Sequence, residues 1–280
     1  MEVQVLSPAP LASSLSSESF FIVQRSDGEP LMKINRDQMQ VMKAAPNSAY
    51  EVIMPEFLFH SNKLEGSTFS EEELAKLVEE GLVEGSHEID DVFETKNSVD
   101  VFNYVVDTLG CPIDDEYLCL LNEMLFRETS DAKAGFTCHY KEIPNRIHGS
   151  SVQVALPSDL PRAMPELFAM WNESAHDFAA IVDFHVRFEH IHPFQNGNGR
   201  IGRFLMMKQC LENDVDIIVV DEALEAPYKS WLEIAQTTGE SRFLKEVMTD
   251  CQQRFDRKME AKGITALIPD KETAARLNRR

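Results

Sequence analysis

Residues 175–190 place Phe178, Ile181, Val182, Phe184, His185 and Phe188 around most of a helix's circumference. A helix apolar nearly all round has no solvent face and belongs at the centre of a fold. A loop at 193–197 follows, then a second helical run at about 199–211. A central helix needs other helices around it, and the chain supplies them. The run 57–65 has helical apolar spacing and stops at Gly66, a residue suited to the position just past a helix end. Ser70 to Glu73 is a capping box that opens a helix through about Glu80. Val92, Phe93, Val99, Phe102 and Val105 recur at helical spacing within 88–109. Helical runs at 116–127, 165–172 and 241–262 complete the set.

Residues 135–154 behave differently, with alternation, β-branched residues and breakers at Gly135, Pro144 and Gly149. That pattern predicts an irregular β-hairpin. The β-branched run 214–220 matches no element firmly, and Pro227 marks a turn or a helix start. The first 20 residues, rich in Ser, Ala and Pro, lack the basic start and apolar stretch of a leader and read as a disordered tail. The polar close, 263–280, reads as loose. The expected fold is mainly α: one helical domain with a small β-hairpin.

The 280 residues carry a formal net charge of −20, which opposes a phosphate backbone as partner. No apolar run approaches the roughly 20 residues a bilayer requires. Five scattered cysteines without a CxxC pair read as reduced thiols, which places the chain in the cytoplasm.

The segment His192-Pro193-Phe194-Gln195-Asn196-Gly197-Asn198-Gly199-Arg200-Ile201-Gly202-Arg203 concentrates the chemistry. Gly197 and Gly199 let the backbone approach a ligand closely at the start of a helix. The unpaired N–H groups and positive dipole end there make an anion cradle suited to phosphate. Arg200 and Arg203, three apart, share one face of the first turn and oppose the helix dipole, so an anion such as a polyphosphate is expected to compensate them. His192 stands at the end of the preceding helix, a general base for neutral pH. His185 and His190, five apart and without a Cys or Asp to complete a set, do not make a zinc site.

With His192, Phe194, Gly197, Asn198, Gly199, Arg200 and Arg203 in place, the segment resembles the Fic family (Fic/Doc superfamily) motif H-x-F-x-[D/E]-G-N-G-R-x-x-R, and the resemblance extends over roughly 50–260. It implies a protein adenylyltransferase core at 111–262, preceded by an N-terminal helical region at 21–110. AMP would pass from ATP to a Ser, Thr or Tyr hydroxyl of a target protein of unknown identity, or of the chain itself. The resemblance implies His192 as base, Gly197, Asn198 and Gly199 around the phosphates, Arg200 and Arg203 on the β- and γ-phosphates, and Tyr228 near the base or ribose. It implies Mg²⁺ across the phosphates. Asn196 replaces the motif's acidic residue there, so Mg²⁺ is expected to be held more weakly. Arg146, Ile147 and His148 fall in the stretch that resembles the family's flap hairpin, which positions the target.

Upstream, Ser61-Asn62-Lys63-Leu64-Glu65-Gly66 resembles the family's inhibitory motif [S/T]-x-x-x-E-[G/N], on a helix at about 57–66. The resemblance implies that Ser61 and Glu65 restrain the enzyme, with Glu65 paired to Arg203. Transfer of a different phosphate-containing group, removal of AMP, and a non-catalytic ATP-binding regulator stay open as alternatives.

Overall fold

The computed structural model describes residues 33–279; the N-terminal tail read at 1–20 lies outside the described residues. Twelve α-helices follow one another among the described residues: α1 (Arg36–Ala44), α2 (Tyr50–Lys63), α3 (Glu71–Glu80), α4 (Ile89–Asp107), α5 (Asp115–Leu125), α6 (Ser130–Ala134), α7 (Leu160–Asn172), α8 (Phe178–Ile191), α9 (Asn198–Glu212), α10 (Glu225–Thr238), α11 (Arg242–Ala261) and α12 (Lys271–Leu277). Local signals set many of the ends. Ser70 caps α3 through the expected capping box, and Gly81 closes it in the left-handed region. Asp177 caps α8 by accepting from the Ala180 N–H. The start of α2 is hidden in the sequence because Pro55, ordinarily a breaker, lies inside the helix.

The centre belongs to α9 even more than to α8. All of residues 200–211 are buried, so the helix has no solvent face. It packs against α8, α5, α4, α2 and α1, while α8 also meets α7, α10 and α11. Phe57 ties three helices together: its ring lies 5.6 Å from Phe102 on α4 and 5.4 Å from Phe204 on α9.

Two expectations need correction. No strand occurs among the described residues, so 135–154 is not a β-hairpin. Alternation reports extended backbone, but a strand also needs a ladder partner. Here the segment spends its polar groups on the α8–α9 connection instead. The Lys141 N–H donates to Pro193 O at 2.8 Å, and Asn145 Nδ2 donates to Phe194 O at 2.8 Å. The run 214–220 likewise forms no strand, and Ile217, Ile218, Val219 and Val220 are buried in the core. The close of the chain is not loose: α12 packs on α1, Ala274 is fully buried, and Gln38 Nε2 donates to Pro269 O at 2.7 Å.

Phe57→Ala should cost about 3–5 kcal/mol, the usual range for emptying a core phenylalanine site. Equilibrium denaturant unfolding reads this directly. A cost below about 1 kcal/mol would deny Phe57 its place at the α2–α4–α9 junction.

Candidate active site

At the end of α8 the backbone of His192 turns into the left-handed region (φ 51°, ψ 59°), with its N–H donating to Phe188 O at 2.8 Å. That reversal throws the chain into the loop. Phe194 plugs into the core with no exposure. The Asn198 side chain then clamps the loop from inside: Oδ1 accepts from the Phe194 N–H and Nδ2 donates to Phe194 O, both at 2.8 Å. Asn198 is 1% exposed, and its side chain shapes the loop from within. Gly197 takes φ 81°, and a Cβ there would strike the Phe126 ring. Beyond it, the first-turn N–H groups of α9 form the cradle.

The two arginines end against different helices. Arg203 runs to α2: Nε donates to Ser61 Oγ at 3.0 Å, and Nη2 donates to Ser61 O at 2.8 Å and to Glu65 Oε1 at 2.7 Å. Gly199 makes room for that carboxylate, which a Cβ would hit. Burial alone would push the Glu65 carboxyl up; Arg203 and then Arg200 overcome this and hold it below its ordinary value. Arg200 runs instead to α4, where Nη1 lies 2.5 Å from Glu94 Oε2, and its guanidinium stacks 5.1 Å from the Phe126 ring centre. A cleft of about 400 Å³ lies beside Arg200, lined also by Asn62, Glu65, Glu94, Asp90 and Asp91 among others.

The His192 side chain keeps 15% of its surface exposed. Burial pushes its imidazole down to about 4; Lys141 adds to this, while Glu65 and the Glu189 main chain oppose it. The ring is therefore neutral, with a free base lone pair, at physiological pH. Lys141, itself 3% exposed and lowered to about 8 by burial, holds the turn from below through Asn145 Oδ1 at 2.8 Å and Ile191 O at 3.3 Å. Glu189 Oε2 lies 3.8 Å from His192 Nδ1. Burial, with Glu65 adding to it, pushes the Glu189 carboxyl up to about 8 against the pull of Arg203.

The remaining expected residues fall as follows. Tyr228 is 3% exposed and shares a 2.7 Å hydrogen bond with His185 Nε2 on α8. Asn196 Oδ1 accepts from the Gly197 N–H at 2.8 Å, and Nδ2 donates to Asp131 Oδ2 at 3.0 Å. Its oxygen is thus committed within the loop, and no group of three or more His, Cys, Asp or Glu fit to hold a metal occurs among the described residues. This donor set does not fit a resident Mg²⁺. Arg146 and His148 are exposed and Ile147 is half-buried, on the segment that Lys141 and Asn145 anchor beside the loop. Glu94, Lys141 and Glu189 were missed: each lies in a run whose periodicity signals only backbone shape.

An all-helical domain with an anion cradle between two buried helices, a neutral imidazole at its lip and arginines on its first turn is the class this fold and site define. The model of the Fic/DOC family matches residues 112–210 of the chain. Over 105 residues it is 29% identical to the protein adenylyltransferase Fic of Drosophila melanogaster, and equally to that of Drosophila simulans. Those matches cover 35% of this chain, which spans about a fifth (20%) of the length of these curated relatives. In fold, it resembles a Fic-domain-containing signaling protein from Bacteroides thetaiotaomicron (TM-score 0.66, 19% identity, 83% of this chain and 93% of that one). It also resembles Fic-1 from C. elegans (TM-score 0.62, 15% identity, 82% of this chain and 70% of that one). Among the described residues no helix is long and apolar enough to cross a membrane.

An unfolded Glu ionises above about 4.5, whereas folded Glu189 stays neutral to about 8. Its contribution to stability is therefore complete below the first value and lost as pH rises to the second. Glu189→Gln, which is never charged, should melt higher than wild type near pH 8 and show no gain below pH 4.5 in calorimetry. An equal offset at both ends would mean that Glu189 is charged in the fold.

Proposed function

We propose that the chain is a protein adenylyltransferase restrained by its own Glu65. The observation that carries this reading is the pairing of a neutral His192 at the cradle with an Arg203 already held by a carboxylate. In the transfer, His192 takes the proton of a Ser, Thr or Tyr hydroxyl on the target. The freed oxygen attacks the α-phosphorus of ATP in line, an O–P bond forms, the bond to the bridging α,β-oxygen breaks, and pyrophosphate leaves with its electron pair. The first-turn N–H groups of α9 oppose the charge that develops on the phosphate oxygens. The buried side chains of Phe194 and Asn198 keep that cradle rigid, so little reorganisation is needed at the moment of reaction. The exposed stretch around Arg146 and His148, anchored beside the loop, borders the place where the target segment would lie.

Arg203 is the group suited to the terminal phosphates, and Glu65 and Ser61 together occupy its Nε and Nη2 donors. While they do, the triphosphate lacks its clamp and ATP does not settle with its α-phosphorus in line. Mg²⁺ would supply charge neutralisation on the phosphates; the residues near Asn196 do not form a site for it, and no step above is routed through it.

Incubation with α-labelled and γ-labelled ATP tests the reading. Glu65→Gly should raise α-label on protein by roughly tenfold or more, the consequence of about 1.4 kcal/mol at the clamp. His192→Ala in that background should lower it by about 10²–10⁴, the usual contribution of a general base. Label from the γ-phosphate would mean phosphorylation, and bound ATP without label would mean a non-catalytic regulator.

The lowered imidazole value makes a separate prediction. Transfer by the Glu65→Gly form should hold level as pH falls below 6.5 and decline only towards about 4, where His192 becomes protonated. A pH–rate profile with its acid limb near the ordinary histidine value contradicts the buried, neutral base.

A further inference from the structure

Arg200 and Arg203 leave α9 three residues apart, yet each ends against a different helix and each meets a carboxylate. Arg200 Nη1 lies 2.5 Å from Glu94 Oε2, an ion pair as close as the 2.7 Å contact between Arg203 and Glu65. The Arg200 side chain is only 6% exposed, and its Nε is buried without a partner. Its guanidinium also lies over the ring of Phe126, just past the end of α5, so it is held rather than left free.

Glu94 is not a solvated surface residue. Its side chain is 21% exposed. Burial pushes its carboxyl up, and the nearby Asp131 and Asp90 add to this, while Arg200 pulls it down. A carboxylate so placed depends on Arg200 to remain charged. Glu65, Glu94 and Arg200 line the same cleft. With both carboxylates in place, the two guanidiniums carry no net charge towards an incoming anion. A polyphosphate has to displace both, and removal of Glu65 frees only one.

We propose that Glu94 is a second restraint on the nucleotide site, holding Arg200 as Glu65 holds Arg203. This rests on the reading that the two arginines serve the phosphates of ATP. The opposite possibility, that Glu94 aims Arg200 at the ligand, has the opposite sign in a binding experiment.

Calorimetric titration of ATP into the full chain decides between them, using wild type, Glu65→Gly, Glu94→Gln and the double variant. Glu94→Gln keeps the shape of the side chain and removes its charge. It should tighten ATP binding in both backgrounds, by about fivefold or more where Glu65 is also removed, the low end of typical coupling between sites. Glu94→Asp keeps the charge but shortens the reach, so it should tighten binding by a smaller factor; thermal melting confirms that each variant is folded. Unchanged or weaker ATP binding by the double variant relative to Glu65→Gly overturns the second restraint while leaving the restraint by Glu65 intact. Absence of ATP binding in every form overturns the proposed function, and this inference with it.

Discussion

A guanidinium at the start of a helix buried on every side has no water to turn to. That constraint governs the site. Residues 200–211 lie wholly inside the fold, so Arg200 and Arg203 must find their partners within protein, against a helix dipole that also disfavours them. Arg203 finds Ser61 and Glu65 on α2, and Arg200 finds Glu94 on α4. The packing of α2 and α4 on α9 through Phe57, Phe102 and Phe204 is therefore more than a core. It sets the distance at which two carboxylates meet two arginines, and it ties the restraint of the site to the stability of the bundle.

The same dryness shapes the acid–base chemistry. His192 is driven neutral by burial and by Lys141, while Glu189 is driven neutral by burial and by Glu65. A base and an acid beside one another are both uncharged, and the positive charge at this end of α8 and α9 resides on Lys141, Arg200 and Arg203. A polyanion arriving at the cradle thus meets neutral hydrogen-bonding groups and three cations, two of them already paired with carboxylates. The loop that receives it is stiff for reasons of its own: the αL turn at His192, the Phe194 plug and the internal Asn198 clamp leave it no slack.

Much of the fold was legible in the sequence because the signals are local. The capping box at Ser70, the apolar wrap of 175–190 and the glycine stops each act within a few residues of themselves. The errors have a common cause. Alternation at 135–154 was read as a hairpin, but extended backbone becomes a strand only when another strand lies beside it, and here the α8–α9 connection took that place. Pro55 concealed the first turns of α2, and the polar run at 271–277 gave no sign that α1 would receive it. At the site, the Glu65–Arg203 pair was anticipated across 138 residues because both ends lie in recognisable motifs. The hydrogen bond from Tyr228 on α10 to His185 on α8 joins residues 43 apart that no shared motif connects.

By itself the sequence determined the helices, the anion cradle at the start of α9 and the identity of the imidazole and guanidinium groups around it, since these depend on spacing along one stretch of chain. Tertiary structure alone decided that Glu94 reaches Arg200, that the Asn198 side chain clamps the loop from within, and that His192 and Glu189 are neutral. Those properties come from burial and from groups brought together by packing, and neither is encoded in the order of neighbouring residues.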